Sequence, residues 1–317
     1  MNNYDVVTVG SASLDIFMKS DKFRVMKTGE VPGGVAMCEV NGVKMEVEEV
    51  LMTSGGGGTN SAVSLAKKEL KTATVIEMGN DPQALIVHRD LESVGVETRF
   101  IVQEPDETTA ISVILIAGDG GRSIMVHRGA AAMLTKRDMP LDELDTRWLH
   151  ITSLGGNIEL LETLLKWAKT KKVRVSFNPG MKEINKKEKL RRLLPMVEVL
   201  FLNREEAGAL WELDVMDEKI WKDGLMPSES MVTVITDSSR GGKVIEKGKV
   251  KYWRGTKIKK VVDTTGAGDA FASGYVAALL YGHNYEKAIE WGKKNAVSVI
   301  KHVGAKKGLL TLAEINK

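Results

Sequence analysis

At 317 residues, 43% of them hydrophobic, the chain can bury the core of one large α/β domain, alone or with a small appendage. Its 45 basic and 42 acidic residues nearly cancel to a net charge of +3, so no electrostatic case for a nucleic-acid partner follows. Cys38 is the sole cysteine, which excludes an intramolecular disulfide and a thiolate metal cluster and fits a reducing, cytoplasmic setting.

The N-terminal stretch passes straight into Asp5-Val6-Val7-Thr8-Val9-Gly10, a buried first strand dense in β-branched residues and ended by glycine. It lacks the basic start and long apolar stretch of a secretory signal. Apolar runs such as 111–117 are far too short to cross a bilayer, so no membrane partner is expected. Asp15 follows this strand, at the sheet edge where open α/β sheets bind ligands. Its carboxylate reads either as a turn or cap residue or as an acceptor for two adjacent hydroxyls. From about Phe17 to Leu51 polar and apolar residues alternate, and Asn41-Gly42 between 36–40 and 43–47 predicts a two-residue hairpin.

Ser54-Gly55-Gly56-Gly57-Gly58-Thr59-Asn60 then leads into a helix through Leu65 and Ala66. Glycines ending at a helix start let the backbone meet a ligand or another strand closely. The run is not a Walker loop, since no Gly-Lys-Ser/Thr follows, and it is not G-x-G-x-x-G, since Asn60 stands where the third glycine belongs. A second alternating region covers Arg99 to His127, turning at Gly118-Asp119-Gly120-Gly121. Strands with one polar face do not suit the middle of a doubly covered parallel sheet. The two alternating regions are therefore expected to form a separate small sheet, with edge strands of the main sheet as the alternative. Arg128 ends the second region near the expected substrate mouth.

Strand and helix alternate in the remainder: 73–78 with 85–94, 148–152 with 158–169, 173–177 with 187–194, and 199–202 with 205–211. That order predicts repeated βαβ units in a mainly parallel sheet with helices on both faces. Val232 to Thr236 adds a strand, and 243–245 with 250–253 reads as an edge hairpin. Asn203 and Glu206 follow an apolar strand at the ligand edge, either as a site or as a helix start with acidic residues favoured by the dipole. The basic segment Lys182 to Arg192, interrupted by Glu183 and Glu188 and backed by leucines, reads as a solvated helix face. His88, His127, His150, His283 and His302 show no metal-ligand spacing.

The stretch Asp263-Thr264-Thr265-Gly266-Ala267-Gly268-Asp269-Ala270-Phe271-Ala272-Ser273-Gly274 runs a glycine-rich turn into an apolar helix. A helix N-terminus offers unpaired N–H groups and the positive end of the dipole, so phosphate oxygens bind there readily. Asp269 beside it would accept a proton from an attacking hydroxyl, or would simply occupy the acidic first turn.

This string resembles the C-terminal signature D-T-x-G-A-G-D of the ribokinase-like (PfkB) family of carbohydrate and nucleoside kinases. Gly55, Gly56 and Asn60 resemble its N-terminal G-G-x-x-x-N signature. The resemblance implies a ribokinase-like α/β fold: a doubly wound, mainly parallel sheet with helices on both faces plus a small β lid. The main domain would comprise 1–16, 55–98 and 128–317, and the lid 17–54 and 99–127. Asp269 would be the catalytic base, and the amides of Gly266, Ala267 and Gly268 the anion hole. Asp15, Gly55, Gly56 and Asn60 would hold the acceptor, with Arg128 as a further substrate contact. Asn203 and Glu206, resembling N-x-x-E, would organise Mg2+ through water. Thr236, Ser238 and Gly241 resemble the nucleotide-binding T-x-G-x-x-G turn, with Ser238 in place of its first glycine. Asn295 would lie near the adenine, and Gly304 would close a monovalent-cation (K+) loop of backbone carbonyls near Asp263 and Thr265. The implied reaction moves the γ-phosphate of ATP to a hydroxyl of a small sugar, a nucleoside being the alternative. Gly57 departs from the G-G-K-G of typical ribokinases, and the stretch from Asp15 to Gly55 is longer than theirs. Relatives often pair through their lids, which implies a homodimer.

Overall fold

Val6, Val7 and Val9 are fully buried in the first strand, β1 (Tyr4–Val9), as a central strand covered on both faces must be. The computed structural model describes residues 3–30, 34–38, 42, 44–118, 121–218, 221 and 232–317. Its further strands are β2 (Ser13–Ser20), β3 (Arg24–Lys27), β4 (Val35–Cys38), β5 (Glu49–Gly55), β6 (Thr72–Val75), β7 (Glu77–Gly79) and β8 (Val102–Glu104). Then come β9 (Ala110–Ala117), β10 (Arg122–His127), β11 (Thr146–Ile151), β12 (Arg174–Phe177), β13 (Val199–Asn203), β14 (Val232–Thr236), β15 (Gly241–Glu246) and β16 (Lys249–Arg254). The main sheet has the order β16-β15-β14-β13-β12-β11-β1-β6, with the pairings of β15 to β14 and to β16 antiparallel and the other pairings parallel. From β1 the chain goes to β6 on one side and later returns to β11 on the other. That topological switch opens a crevice at the C-terminal ends of these strands.

Helices cover both faces. On one, Asn157 caps the helix Ile158–Lys171 by accepting from the Leu160 N–H at 3.0 Å, and Lys172 ends it in the left-handed region at φ 56°. Between these limits Leu160, Leu161, Leu164, Leu165 and Ala168 share one buried face, as a 3.6-residue period requires. On the other face the helix Ala267–Leu280 is buried from Ala270 onward and packs against the helix Tyr285–Val299.

The alternating regions do form a separate sheet, of order β10-β9-β2-β5. Its edges differ from expectation. β2 already begins at Ser13 and pairs Asp15 with Thr53 and Ser112, so Asp15 stands in this sheet rather than in a loop after β1. β8 pairs with β7 in a two-stranded sheet of its own. The hairpin expected around Asn41-Gly42 is replaced by another pairing. β4 lies antiparallel to β3, with Arg24 opposite Cys38, and residues 44–47 form no strand. Asn41 and Val43 of that expectation, and Asp119 and Gly120 of the later turn, lie outside the described residues. Alternation and a turn signal do not by themselves choose between strand partners.

Within the basic segment one charged residue is buried together with Ile184 and Leu190. Glu183 is fully buried and accepts from the Ser153 hydroxyl at 3.0 Å and from the N–H groups of Leu154, Gly156 and Gly180 at 2.8, 2.6 and 2.8 Å. It thereby ties together the loops after β11 and β12. Glu183→Ala would leave these donors without an acceptor, so a loss of about 3 kcal/mol is expected, read as a lower urea midpoint at unchanged slope. An unchanged midpoint would refute this role.

Candidate active site

The crevice at the strand ends holds a cavity of about 260 Å³, lined by Ser11, Ser153, Asn178, Asn203 and Thr236 from successive strand ends and by Gly268 and Asp269 from the facing helix. Gly266 enters that helix in the left-handed region, at φ 71°, and a Cβ there would collide with Ala305, so glycine is needed on both counts. Of the amides expected to form an anion hole, that of Ala267 donates to the Thr264 carbonyl at 3.2 Å. Among the described residues, those of Gly266 and Gly268 have no acceptor, and at Gly268 the space where a Cβ would stand is open. Two of the three expected anion-hole amides are thus left without an internal acceptor, because the turn into the helix consumes one donor.

Asp269 stands in the first turn with Oδ2 accepting the Asn60 Nδ2 hydrogen at 2.9 Å. Residues 209 positions apart meet here. Burial raises the Asp269 pKa above the ordinary carboxylate value, and Asp15 adds to the rise. The Asn60 hydrogen bond and Lys306 oppose it. Its side chain faces the cavity, yet the surrounding protein removes most of its solvation. Asn60 is 5% exposed, and its buried Oδ1 has no partner among the described residues.

Asp15 is buried and accepts from the Ser13 hydroxyl at 2.9 Å, and burial again raises its pKa, with Ser112, Ser13 and Lys306 opposing. A Cβ on Gly55 would overlap this carboxylate at 2.0 Å, and one on Gly56, at φ 92°, would meet the Ser11 carbonyl at 2.5 Å. The glycine run therefore lets backbone and carboxylate close up within the protein itself, one of the two readings left open above. Asn203 and Glu206 form a reciprocal cap: the Asn203 Oδ1 accepts the Glu206 N–H and the Glu206 Oε2 accepts the Asn203 N–H, both at 2.8 Å. Glu206 also lines the cavity, and its pKa is raised first by burial and further by Glu205 and Asp269. Helix start and site wall are one feature here.

Thr236 reaches the cavity, while Ser238 adopts φ 49° and Gly241 φ 110° in the turn that follows. Ser238 thus takes the left-handed backbone that glycine would take at a cost of about 1 kcal/mol. Asp237 braces the turn. Burial alone would raise its pKa, but Arg240, at 2.6 and 2.8 Å, and Arg204, at 2.9 Å, hold it below the ordinary value.

The sequence profile described as pfkB family carbohydrate kinase matches residues 4–312. The chain belongs to this kinase family. It is 24% identical to a ribokinase of Staphylococcus aureus (strain COL) over 319 residues, covering 98% of each chain. It is 29% identical to a cytidine kinase of Thermococcus kodakarensis over 305 residues, covering 95% of this chain and 97% of the relative. The crystal structure of a ribokinase from Cryptococcus neoformans var. grubii serotype A in complex with ADP superposes with a TM-score of 0.77 at 23% identity, covering 99% of this chain and 98% of that one. The fold is that of the ribokinase-like kinases.

One expected contact of the kinase is not where sequence put it. Asn295 is fully buried, donating to the Ser64 hydroxyl at 3.0 Å and the Ala270 carbonyl at 2.7 Å and accepting from the Leu310 N–H at 3.0 Å. It cross-links core segments and cannot face an adenine. Arg128 is exposed, and like Asp15, Gly55, Gly56 and Asn60 it is not among the residues that line the cavity. The Gly304 N–H, in a residue at φ 86°, donates to the Asp263 carboxylate at 3.0 Å.

The kinase also carries charges that sequence did not single out. Lys306 is 6% exposed, donates to Asp90 Oδ2 at 2.8 Å and to the Ser54 hydroxyl, and lies within electrostatic reach of Asp15 and Asp269. Arg122 reaches from β10 to Asp263 and Thr264. His150 is buried, with its pKa pushed down to about 4, a neutral core imidazole bonded to Ser176 at 2.7 Å.

Proposed function

We propose that the kinase moves the γ-phosphate of ATP to a hydroxyl of a small sugar, with Asp269 as general base. The contact between Asn60 and Asp269 carries the reading, because it joins an acceptor-side amide to a carboxylate at a helix N-terminus beside a cavity. The acceptor is held by Asp15 and the free Oδ1 of Asn60. Its hydroxyl gives its proton to Asp269 while its oxygen attacks the γ-phosphorus, the bond to the β-phosphate oxygen breaks, and ADP leaves. The amides of Gly266 and Gly268 face the charge that develops on the transferring group. Thr236, Ser238 and Gly241 border the nucleotide side. Closure of the small sheet over the crevice, as a lid, excludes water as a competing acceptor.

Among the described residues no cluster of three or more acidic, histidine or cysteine side chains could cage a metal. Glu206 on the cavity wall, beside Asn203, suits Mg2+, which is held by one or two carboxylates with substrate phosphates and waters. Bound there, Mg2+ would neutralise charge on the ATP phosphates. A nucleoside acceptor is the second reading, favoured by the cytidine kinase relative.

Sugars, sugar phosphates and nucleosides, each tested for acceptor-dependent ADP formation with ATP and Mg2+, provide the test. We expect turnover with a free sugar. Turnover with nucleosides alone would install the second reading, and none with any acceptor would overturn both. The exposed apolar side chains Val50, Leu51, Met52, Ile124, Met125 and Val126 on the small sheet support a homodimer through the lid, to be measured by sedimentation. No described helix is long and apolar enough to cross a membrane, and the single cysteine supports a cytoplasmic setting.

A further inference from the structure

The guanidinium of Arg122, the first residue of lid strand β10, leaves its own sheet: Nη1 lies 2.8 Å from Asp263 Oδ1 and Nη2 2.8 Å from the Thr264 hydroxyl. The carboxylate it meets is a junction. Asp263 Oδ1 also accepts the Thr265 N–H at 3.0 Å and the Thr265 hydroxyl at 2.7 Å, and Oδ2 accepts the Gly304 N–H at 3.0 Å. Thr265 leads directly into Gly266 and the helix start, where the anion-hole amides are. Gly304 leads into Ala305, against which Gly266 packs. One lid side chain thus holds the carboxylate that fixes both segments around the expected phosphoryl position.

The monovalent-cation site expected at Asp263, Thr265 and Gly304 does not fit these residues. The Asp263 carboxylate is already met by four hydrogen-bond donors, and a cation held by backbone carbonyls beside it would meet the fixed positive charge of Arg122, 2.8 Å from Oδ1. We propose that Arg122 is a positioning residue for phosphoryl transfer: it latches the lid to Asp263 and supplies from within the chain the charge that steadies the anion-hole loop, so turnover requires no K+. The inference rests on the kinase reading above. A lysine cannot substitute, because a single ammonium does not present the planar fork that reaches both Asp263 and Thr264. Lid closure and anion-hole geometry become one event. When the lid lifts, Asp263 loses its charged partner and the loop loosens.

The test begins with the unaltered protein, assayed with its acceptor in buffers whose only monovalent cation is K+, Na+ or tetramethylammonium. Rates within about twofold of one another are expected, since the charge is already in place. Several-fold stimulation by K+ would overturn the proposal. Arg122→Ala should lower kcat by about 10- to 100-fold, the usual cost of a misplaced reacting geometry, with little change in the KM for ATP. Added guanidinium should restore part of that kcat in Arg122→Ala and not in Arg122→Lys. Retained kcat, or a loss that guanidinium does not relieve, would overturn the positioning role. Amide hydrogen exchange at Thr265 and Gly304 needs neither nucleotide nor acceptor, so it tells failure of the latch from failure of the kinase reading. Exchange is expected to quicken in Arg122→Ala at unchanged melting temperature, and unchanged exchange would count against the latch whatever the acceptor panel returns.

Discussion

Asp269→Asn is expected to lower kcat by about 10²–10⁴-fold, the usual worth of a positioned general base. Asparagine conserves the volume, and its carbonyl can still accept the Asn60 amide hydrogen that Asp269 Oδ2 accepts at 2.9 Å. What it cannot do is take up a proton, so the loss reports proton acceptance and not packing. Residual turnover would come from the anion hole and from acceptor binding. The pH dependence follows from the same group. Burial places the Asp269 pKa above the ordinary carboxylate value, and the base works only when ionised. The kcat/KM should therefore rise with pH through the Asp269 pKa and level off above it. This acidic limb should vanish in Asp269→Asn. Steady-state kinetics on a variant with native melting behaviour would decide, and near-normal kcat would remove Asp269 from the mechanism.

Lys306→Met is expected to cost about 3 kcal/mol of stability and to move the acidic limb upward in pH. The Lys306 side chain is 7% exposed while its partner Asp90 is 34% exposed, so the desolvated end of the pair is the lysine. Burial lowers its pKa, and Asp90, Asp15 and Asp269 oppose that fall. Methionine fills similar space but leaves Asp90 unpaired. It also removes the positive charge that holds the pKa values of Asp15 and Asp269 down, so both rise, and more alkaline solution is needed to ionise the base. Adding Asp90→Asn should recover part of the stability, because the orphaned carboxylate is gone, and should leave the limb displaced. Urea denaturation and a pH–rate profile measure the two effects separately. A limb that stays in place would show that Lys306 holds the fold alone.

Much of the fold was legible in the sequence. The βαβ alternation and the alternating strands of the small sheet were readable because side-chain period follows from backbone geometry over a few residues. The glycine-rich entry to the helix Ala267–Leu280 was readable for the same local reason. Asn295 was misplaced although a signal existed. Ala288, Trp291, Gly292, Asn295 and Val299 share one buried helical face, and that spacing puts Asn295 inward. The hairpin at Asn41-Gly42 failed because a good turn signal does not name a strand's partner, and β4 found β3 instead. Glu183 hid among basic residues, since three of its four donors, from Ser153, Leu154 and Gly156, lie 30, 29 and 27 residues away.

The sequence by itself determined the α/β fold class, because glycine spacing, helix starts and apolar period are consequences of local sterics, and its two signature motifs resembled those of the kinase family. Only the tertiary structure decided which polar groups face one another: Asn60 with Asp269, Arg122 with Asp263 and Lys306 with Asp90, at separations of 209, 141 and 216 residues. Hydrogen bonds and Coulomb forces depend on distance in space, and no local pattern around any of these six residues encodes it.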